Sequence, residues 1–488
     1  MRRLKSAASA AVILAMLSSC GGESGGQVTA APPASPSPSS PSPSTPSPTG
    51  GTCSLSERKA WALSQLNEWY LFPELLDTSV NAGAYSTLQA YVDALVAPAR
   101  AAGKDRYFTY VTSIAEEEAY YSTGSSAGFG FRTRIDGSRV FLEEVFESAP
   151  AAGKVSRGTE IIAIGTSSSN LRSVASIIAS QGASGIYDAL GPSDAGISRT
   201  LEIDNSMGGP DQPNEIVTLT KAEYSLQAVS PVYGTKTLRT PAGEEVGYVN
   251  LRTFIDNAST PLVNAFADWR SRGIDKVILD FRYNGGGLVS VADQIGDLHA
   301  RTLGGQVFSY TTYGSSKSGF NETDRYTALT QSIAPMRVAI IGTGSTASAS
   351  ELVANSFPPY LDANVALVGE NTYGKPVGQI AEDRAACDDR LRIIAFKKEN
   401  ADRQGEYFNG LAGTMPVFCP REDDLFEPLG SADEAMTAEA LAFLDGGAPA
   451  CSAPRTNGSN VRALSMSAEP VAMPRNPTPA QRENPGLF

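Results

Sequence analysis

Three segments of the 488-residue chain pair a possible nucleophile, a possible base or a run of backbone donors with small residues, and each follows an apolar stretch. The first is Asp280-Phe281-Arg282-Tyr283-Asn284-Gly285-Gly286-Gly287. The second is Gly344-Ser345-Thr346-Ala347-Ser348-Ala349-Ser350-Glu351. The third is Gly369-Glu370-Asn371-Thr372-Tyr373-Gly374-Lys375-Pro376-Val377-Gly378-Gln379. Loops at strand ends are where active sites of α/β sheets collect. A serine opening a helix gains free N–H groups and the positive end of the helix dipole, which favour an oxyanion. Such a serine needs a base. His299 is the only histidine; it lies within a helical pattern away from the three segments, which argues against a Ser-His-Asp triad. A lysine serves as base once burial lowers its pKa, and Lys375 sits in a glycine-flanked turn beside apolar runs. The chemistry implied is acyl transfer from Ser348 with Lys375 as base.

Two decoys fail on their own residues. Gly369-x-x-x-x-Gly374-Lys375 lacks the hydroxyl residue that would hold magnesium, because Pro376 follows. Ser56-Glu57-Arg58-Lys59 has no Ser-Asp-Asn or Lys-Thr-Gly companion. No Cys-x-x-Cys spacing occurs, so no metal site and no cofactor are expected. The net charge of −13 disfavours nucleic acid as a partner.

The elements that must position these residues follow from pattern. Arg2, Arg3 and Lys5 precede a short apolar run, Ala7 to Leu17, and then Leu17-Ser18-Ser19-Cys20. The run is too short to span a bilayer and reads as an export signal over residues 1–19. Its end resembles a bacterial lipobox, with Cys20 as the lipidated residue. Residues 20–52 carry Pro-Ser repeats and make an extended spacer. Residues 53–119 read as helical, with Ser54 or Ser56 as cap and Trp61, Leu63, Leu66, Trp69 and Tyr70 directed at a core. Residues 120–228 read as β-rich. Residues 229–445 alternate apolar strands with helices, the pattern of an α/β core with a buried parallel sheet. Residues 446–488 are loose in composition and are expected to be a disordered tail. Export leaves Cys53, Cys387, Cys419 and Cys451 for two disulfides, which allow three pairings. Cys387–Cys419 with Cys53–Cys451 is the pairing expected.

Two resemblances add to this reading. Gly128-Phe129-Gly130-Phe131, with Ser148-Ala149-Pro150-Ala151 and the run to Ile164, resembles a PDZ domain, whose glycine loop binds a peptide's terminal carboxylate. Thr159 stands where that family usually has an acidic residue. Over residues 53–445 the order of segments is similar to the carboxyl-terminal processing (tail-specific) peptidases, a serine–lysine family. The resemblance implies an α/β core of the ClpP/crotonase type behind a PDZ-like domain and a small N-terminal helical domain. It implies Ser348 as nucleophile, Lys375 as base, Gln379 as the lysine's orienting partner and Glu351 in support. It places the oxyanion hole at Ala349 with Gly286 or Gly287. The partners implied are proteins or peptides with exposed C-termini, and the membrane through the lipid anchor. The place implied is the bacterial cell envelope, at the outer membrane facing the periplasm or the cell surface. An inert PDZ-bearing lipoprotein that binds C-termini, and a hydratase on the same core, are the competing readings. Neither accounts for Ser348, Lys375 and Gln379 together.

Overall fold

The computed structural model describes residues 53–206, 213–451, 474 and 476–488. Cys20, the export signal and the Pro-Ser spacer lie outside the described residues.

The framework of the site is a six-stranded sheet. Its strands are β1 (Thr235–Arg239), β2 (Glu245–Asn250), β3 (Lys276–Asp280), β4 (Arg337–Gly342), β5 (Val365–Gly369) and β6 (Val417–Pro420). They lie side by side in chain order. β1 runs antiparallel to β2, and every later neighbour is parallel. Every residue of β3 and β5 is buried, as a parallel sheet covered on both faces requires. Alternation sorts the side chains. Val277, Leu279, Val338, Ile340, Val365 and Leu367 pack under the helices Ser259–Arg272, Val289–Leu298 and Ala349–Ser356. Ile278, Ala339, Ile341, Ala366 and Val368 pack under the helix Ala435–Gly446. Helix ends match the sequence signals: Gly273 closes the first of these helices in the left-handed region (φ 72°).

The predicted helical segment is present as Leu55–Trp69, Leu88–Leu95 and Ala97–Ala101, with the Ser54 side chain capping the first. Its inward face carries Ala62 and Leu66, while Trp61 and Trp69 are only half-buried. Trp69 packs edge-on to Phe320 instead. The segment ends in a strand, Tyr110–Ser113, that pairs antiparallel with Asp389–Glu399. The same long strand pairs with Val377–Arg384, which carries Gln379. The helical segment and the lysine-bearing turn therefore share one sheet.

The β-rich region forms an antiparallel sheet in the order Phe131–Asp136, Arg139–Val145, Glu160–Gly165, Ser198–Asp204, Glu215–Thr220. The helices Val174–Gln181 and Ser184–Leu190 cover its core of Phe129, Phe131, Leu142, Ile161 and Leu201.

Two expectations are overturned. The disulfides join Cys53 to Cys387 and Cys419 to Cys451. Cys419 lies in β6, and the turn after the helix Ala435–Gly446 returns Cys451 to it. The end of the chain is also ordered. Thr478 caps a short helix, Pro479–Glu483, and Leu487 and Phe488 are each 2% exposed. Loose composition concealed two apolar side chains with cores to enter, Leu487 in the catalytic core and Phe488 in the β-rich one.

Candidate active site

The three segments converge because they follow β3, β4 and β5, adjacent parallel strands whose C-terminal ends lie together. Ser348 stands at φ 56°, ψ −115°, a conformation that costs a non-glycine residue about 1–3 kcal/mol and persists only where the surroundings enforce it. It precedes the helix Ala349–Ser356, all of whose residues are buried. The first-turn N–H groups of that helix have no partner within it.

Glu351 is the enforcing group. Fully buried, its carboxylate accepts four hydrogen bonds. Oε2 takes the Ser348 N–H (3.0 Å) and the Lys375 N–H (2.7 Å), and Oε1 takes the Thr372 hydroxyl (2.6 Å) and the Gly374 N–H (2.7 Å). The supporting residue of the sequence reading thus grips the backbone of Lys375 and welds the serine turn to the lysine turn. Burial pushes its carboxyl up, and the four donors pull it back.

Lys375 Nζ donates to Gln379 Oε1 at 2.8 Å. Gln379 Nε2 in turn donates to the Phe108 carbonyl. Burial lowers the Lys375 pKa; Glu483, Asp105 and Glu351 oppose that shift and Arg392 adds to it. The ring of Phe108 lies 5.2 Å from the ammonium. Arg106 donates to the carbonyls of Tyr373 and Gly374, clamping the turn from outside. Nothing in the local sequence around Phe108 marked it; its part follows from the strand Tyr110–Ser113 lying in the sheet of Gln379. A cavity of about 430 Å³ opens beside the pair, lined by Phe108, Thr109, Tyr373, Lys375, Gly285 and Glu483 among others.

The glycine segment runs beside the serine turn. A Cβ on Gly286 would lie 2.7 Å from Ser348 Cβ and 3.1 Å from Ala349 N, so Gly286 lies against the serine and only a glycine fits. Its own N–H, however, donates to Asn284 Oδ1 at 2.9 Å. Gly287 faces the Phe254 backbone, where a Cβ would stand 2.3 Å from Phe254 O. The Gly285 N–H donates to Glu483 O at 2.9 Å. Beneath the loop, Arg282 is fully buried among Asp280, Asp423 and Glu434, which holds the segment rigid.

His299 is fully buried between the rings of Phe266 and Phe357, with Nδ1 on the Ile295 carbonyl. Burial lowers its pKa to about 4. It is a packed core residue.

The glycine loop of the β-rich region is also occupied. The N–H groups of Gly130 and Phe131 both donate to Phe488 O, at 2.7 and 3.3 Å. Phe129 underlies the loop, stacked on Phe131 at 5.5 Å. Gly128 is indispensable in another way: a Cβ there would stand 2.6 Å from Phe488 C.

Residues 245–402, from β2 through the long strand Asp389–Glu399, match the peptidase family S41 profile. The chain carries a peptidase family S41 domain. Among curated proteins, a carboxyl-terminal-processing protease of Picosynechococcus is 31% identical over 161 residues, 33% of this chain and 36% of the relative. One of Synechocystis is 32% identical over 185 residues, 38% of this chain and 39% of the relative. The matched region therefore spans little more than a third of these relatives' length. A Bacteroides fragilis crystal structure assigned to the S41 proteases superposes with a TM-score of 0.60 at 19% identity, covering 79% of this chain and 97% of that one. That likeness extends the shared fold well beyond the matched region. Family S41 carboxyl-terminal-processing proteases are serine peptidases, and Ser348, Lys375 and Gln379 all fall inside the matched S41 domain.

Proposed function

We propose that the protein is a lipid-anchored serine endopeptidase of the carboxyl-terminal processing type, with Ser348 as nucleophile and Lys375 as base. The observation that carries this reading is the single carboxylate, Glu351, that binds the backbones of both residues while Gln379 orients the lysine. In the acylation step neutral Lys375 takes the proton from Ser348 Oγ as the oxygen attacks a peptide carbonyl. The oxyanion is held by backbone N–H groups, Ala349 with Gly286 or Gly287, of which Gly286 lies against the serine. Collapse passes the lysine's proton to the leaving amine and leaves an acyl-serine. Water, deprotonated by Lys375, attacks that ester and frees Ser348. The PDZ-like sheet recognises the substrate's C-terminus through residues 128–131. Cys20 anchors the protein by lipid in the bacterial cell envelope, at the outer membrane, and residues 20–52 hold the enzyme off the bilayer.

The test is incubation of the soluble portion, starting at Cys53, with an unfolded protein, beside its Ser348→Ala counterpart. Cleavage by the parent alone supports the reading. Equal cleavage by both removes Ser348 from the mechanism. Among the described residues no hydrogen bond joins Lys375 Nζ to Ser348 Oγ, which leaves the inert C-terminus-binding lipoprotein as the second reading; no cleavage by either protein, with peptide binding retained, would favour it.

A further inference from the structure

Residues 476–488 are held as a ligand is held. Gly486–Phe488 lie antiparallel to the strand Phe131–Asp136. Phe131 and Phe488 exchange both backbone hydrogen bonds (3.3 and 3.0 Å), and Thr133 N–H donates to Gly486 O at 2.9 Å. Together with the 2.7 Å bond from Gly130 N–H to the same Phe488 oxygen, this is strand addition ending at a glycine loop, the mode in which a sheet edge takes a peptide's end. The Phe488 side chain enters an apolar well, with its ring 4.6 Å from Tyr187 and 6.4 Å from Phe131. Asn484, fully buried, donates to Tyr120 Oη at 2.8 Å and accepts from Arg132. Glu483 places its carbonyl on Gly285 N–H and its Oε1 on the Tyr121 hydroxyl (3.0 Å), on the wall of the cavity that Lys375 lines. One segment thus reaches both glycine loops.

We propose that residues 476–488 are a resident ligand of their own chain, filling the PDZ-like groove and walling the cleft beside Lys375, so that the enzyme acts on a protein only when that protein's C-terminus, ending in a large apolar residue such as phenylalanine, displaces them. The proposal rests on the peptidase reading above and adds to it the ligand class and the latency. The aromatic well sets the preference for the last side chain. Strand pairing with Gly486 asks only for an extended backbone two residues before it. The Glu483 carboxylate adds a second effect, because its charge favours the protonated form of Lys375, in which the lysine takes no proton. A tethered competitor acts at an effective concentration of about 1 mM or more for a short tether. An external peptide that binds the empty groove at about 100 μM is then weakened roughly tenfold.

The experiment uses the full chain and its Phe488→Asp variant, which removes the ring from the well and puts a carboxylate in its place. The probe is a fluorescein-labelled peptide with the sequence of residues 477–488. Anisotropy is read in the Ser348→Ala background, and cleavage of an unfolded protein in the Ser348 background. The expected result is that Phe488→Asp binds the peptide about tenfold more tightly and cleaves faster. Equal affinities for the two chains overturn the proposal, whatever the cleavage. Tighter binding with no cleavage in either chain keeps the resident ligand and fails the peptidase reading instead. If Phe488→Asp does not fold, the parent chain decides: saturating peptide must raise amide exchange at Gly486 and Phe488, and unchanged protection there overturns the proposal.

Discussion

Two glycine loops in this molecule do the same thing with the same atoms. Gly130 N–H and Gly285 N–H each donate to a main-chain oxygen of the C-terminal segment, at 2.7 and 2.9 Å. The surroundings differ. Around Gly130 lie Phe129, Phe131 and Tyr187, and the one buried amine nearby, among the described residues, is Lys221, which is spent on the carbonyls of Gly191 and Pro192. Around Gly285 lie Lys375 and the serine turn, with Glu351 fixing both. On the proposed mechanism, the comparison teaches that a backbone donor set only binds until a strained nucleophile and a desolvated base are added to it.

Removing the chemistry from the second loop is the sharpest way to break the comparison. Ser348→Ala and Lys375→Ala should each lower cleavage by on the order of 10³-fold or more. Both should leave the midpoint of thermal unfolding within a few degrees and peptide affinity at the first loop intact. An active Lys375→Ala enzyme would remove the lysine from its role. Glu351→Ala should come next. It orphans four buried donors, and we expect a loss of about 2–4 kcal/mol in urea unfolding with cleavage down at least 10²-fold. A wild-type melt for that variant would mean that the weld is dispensable. At the first loop, Gly130→Val should fail in binding: a Cβ there would stand 1.8 Å from Ala149 Cβ, at φ 79°. Peptide affinity should fall at least tenfold, and hydrolysis of a short peptide too small to reach the groove should fall much less. Equal losses in both assays would merge the two loops into one functional unit.

The comparison also sharpens with pH. A base that must be neutral gives a rate that rises with pH and levels off above its pKa, and burial places that limb below the ordinary lysine range of about 10.4. In Phe488→Asp, which frees Glu483 from Lys375, the limb should move to lower pH. The smallest expected effect concerns a residue outside both loops. His299 is neutral in the fold, with a pKa of about 4. The unfolded chain binds its proton first as pH falls below about 6.5, so stability is whole above that pH and declines toward pH 4. The decline attributable to His299 should be on the order of 3 kcal/mol, and His299→Leu should flatten that part of the acid limb in chemical unfolding. An unchanged slope would place the acid sensitivity elsewhere.

The contrast between what was legible and what was hidden has a physical basis. Local patterns carry local geometry. Continuous apolar runs announced β3 to β5, and the glycine, serine and lysine residues after them announced the turns, because turns need particular residues whatever surrounds them. Relations between distant segments leave no such mark. The Phe108 carbonyl that holds Gln379 is a backbone atom, which any residue would supply. The disulfide partners follow from how turns and helix ends pack in the fold, since only Cys419 of the four lies in a strand. The tail was misread because Pro, Ala and small polar residues dominate its composition, while two apolar side chains and one asparagine do the docking. A Thr478-Pro479-x-Gln481 cap followed by Gly486-Leu487-Phe488 was the available signal: a helix start, then an extended apolar end.

The chain-order arrangement of the six-stranded sheet has a consequence in time. Each parallel strand joins the edge left by the one before, so the sheet grows outward as the polypeptide emerges. Ser348 comes out after the fourth strand, Lys375 after the fifth, and β6 ends at Pro420. Phe488 appears later than all of these. At ~5–20 residues per second of synthesis, several seconds separate the end of β6 from Phe488. The molecule is armed before it is sheathed.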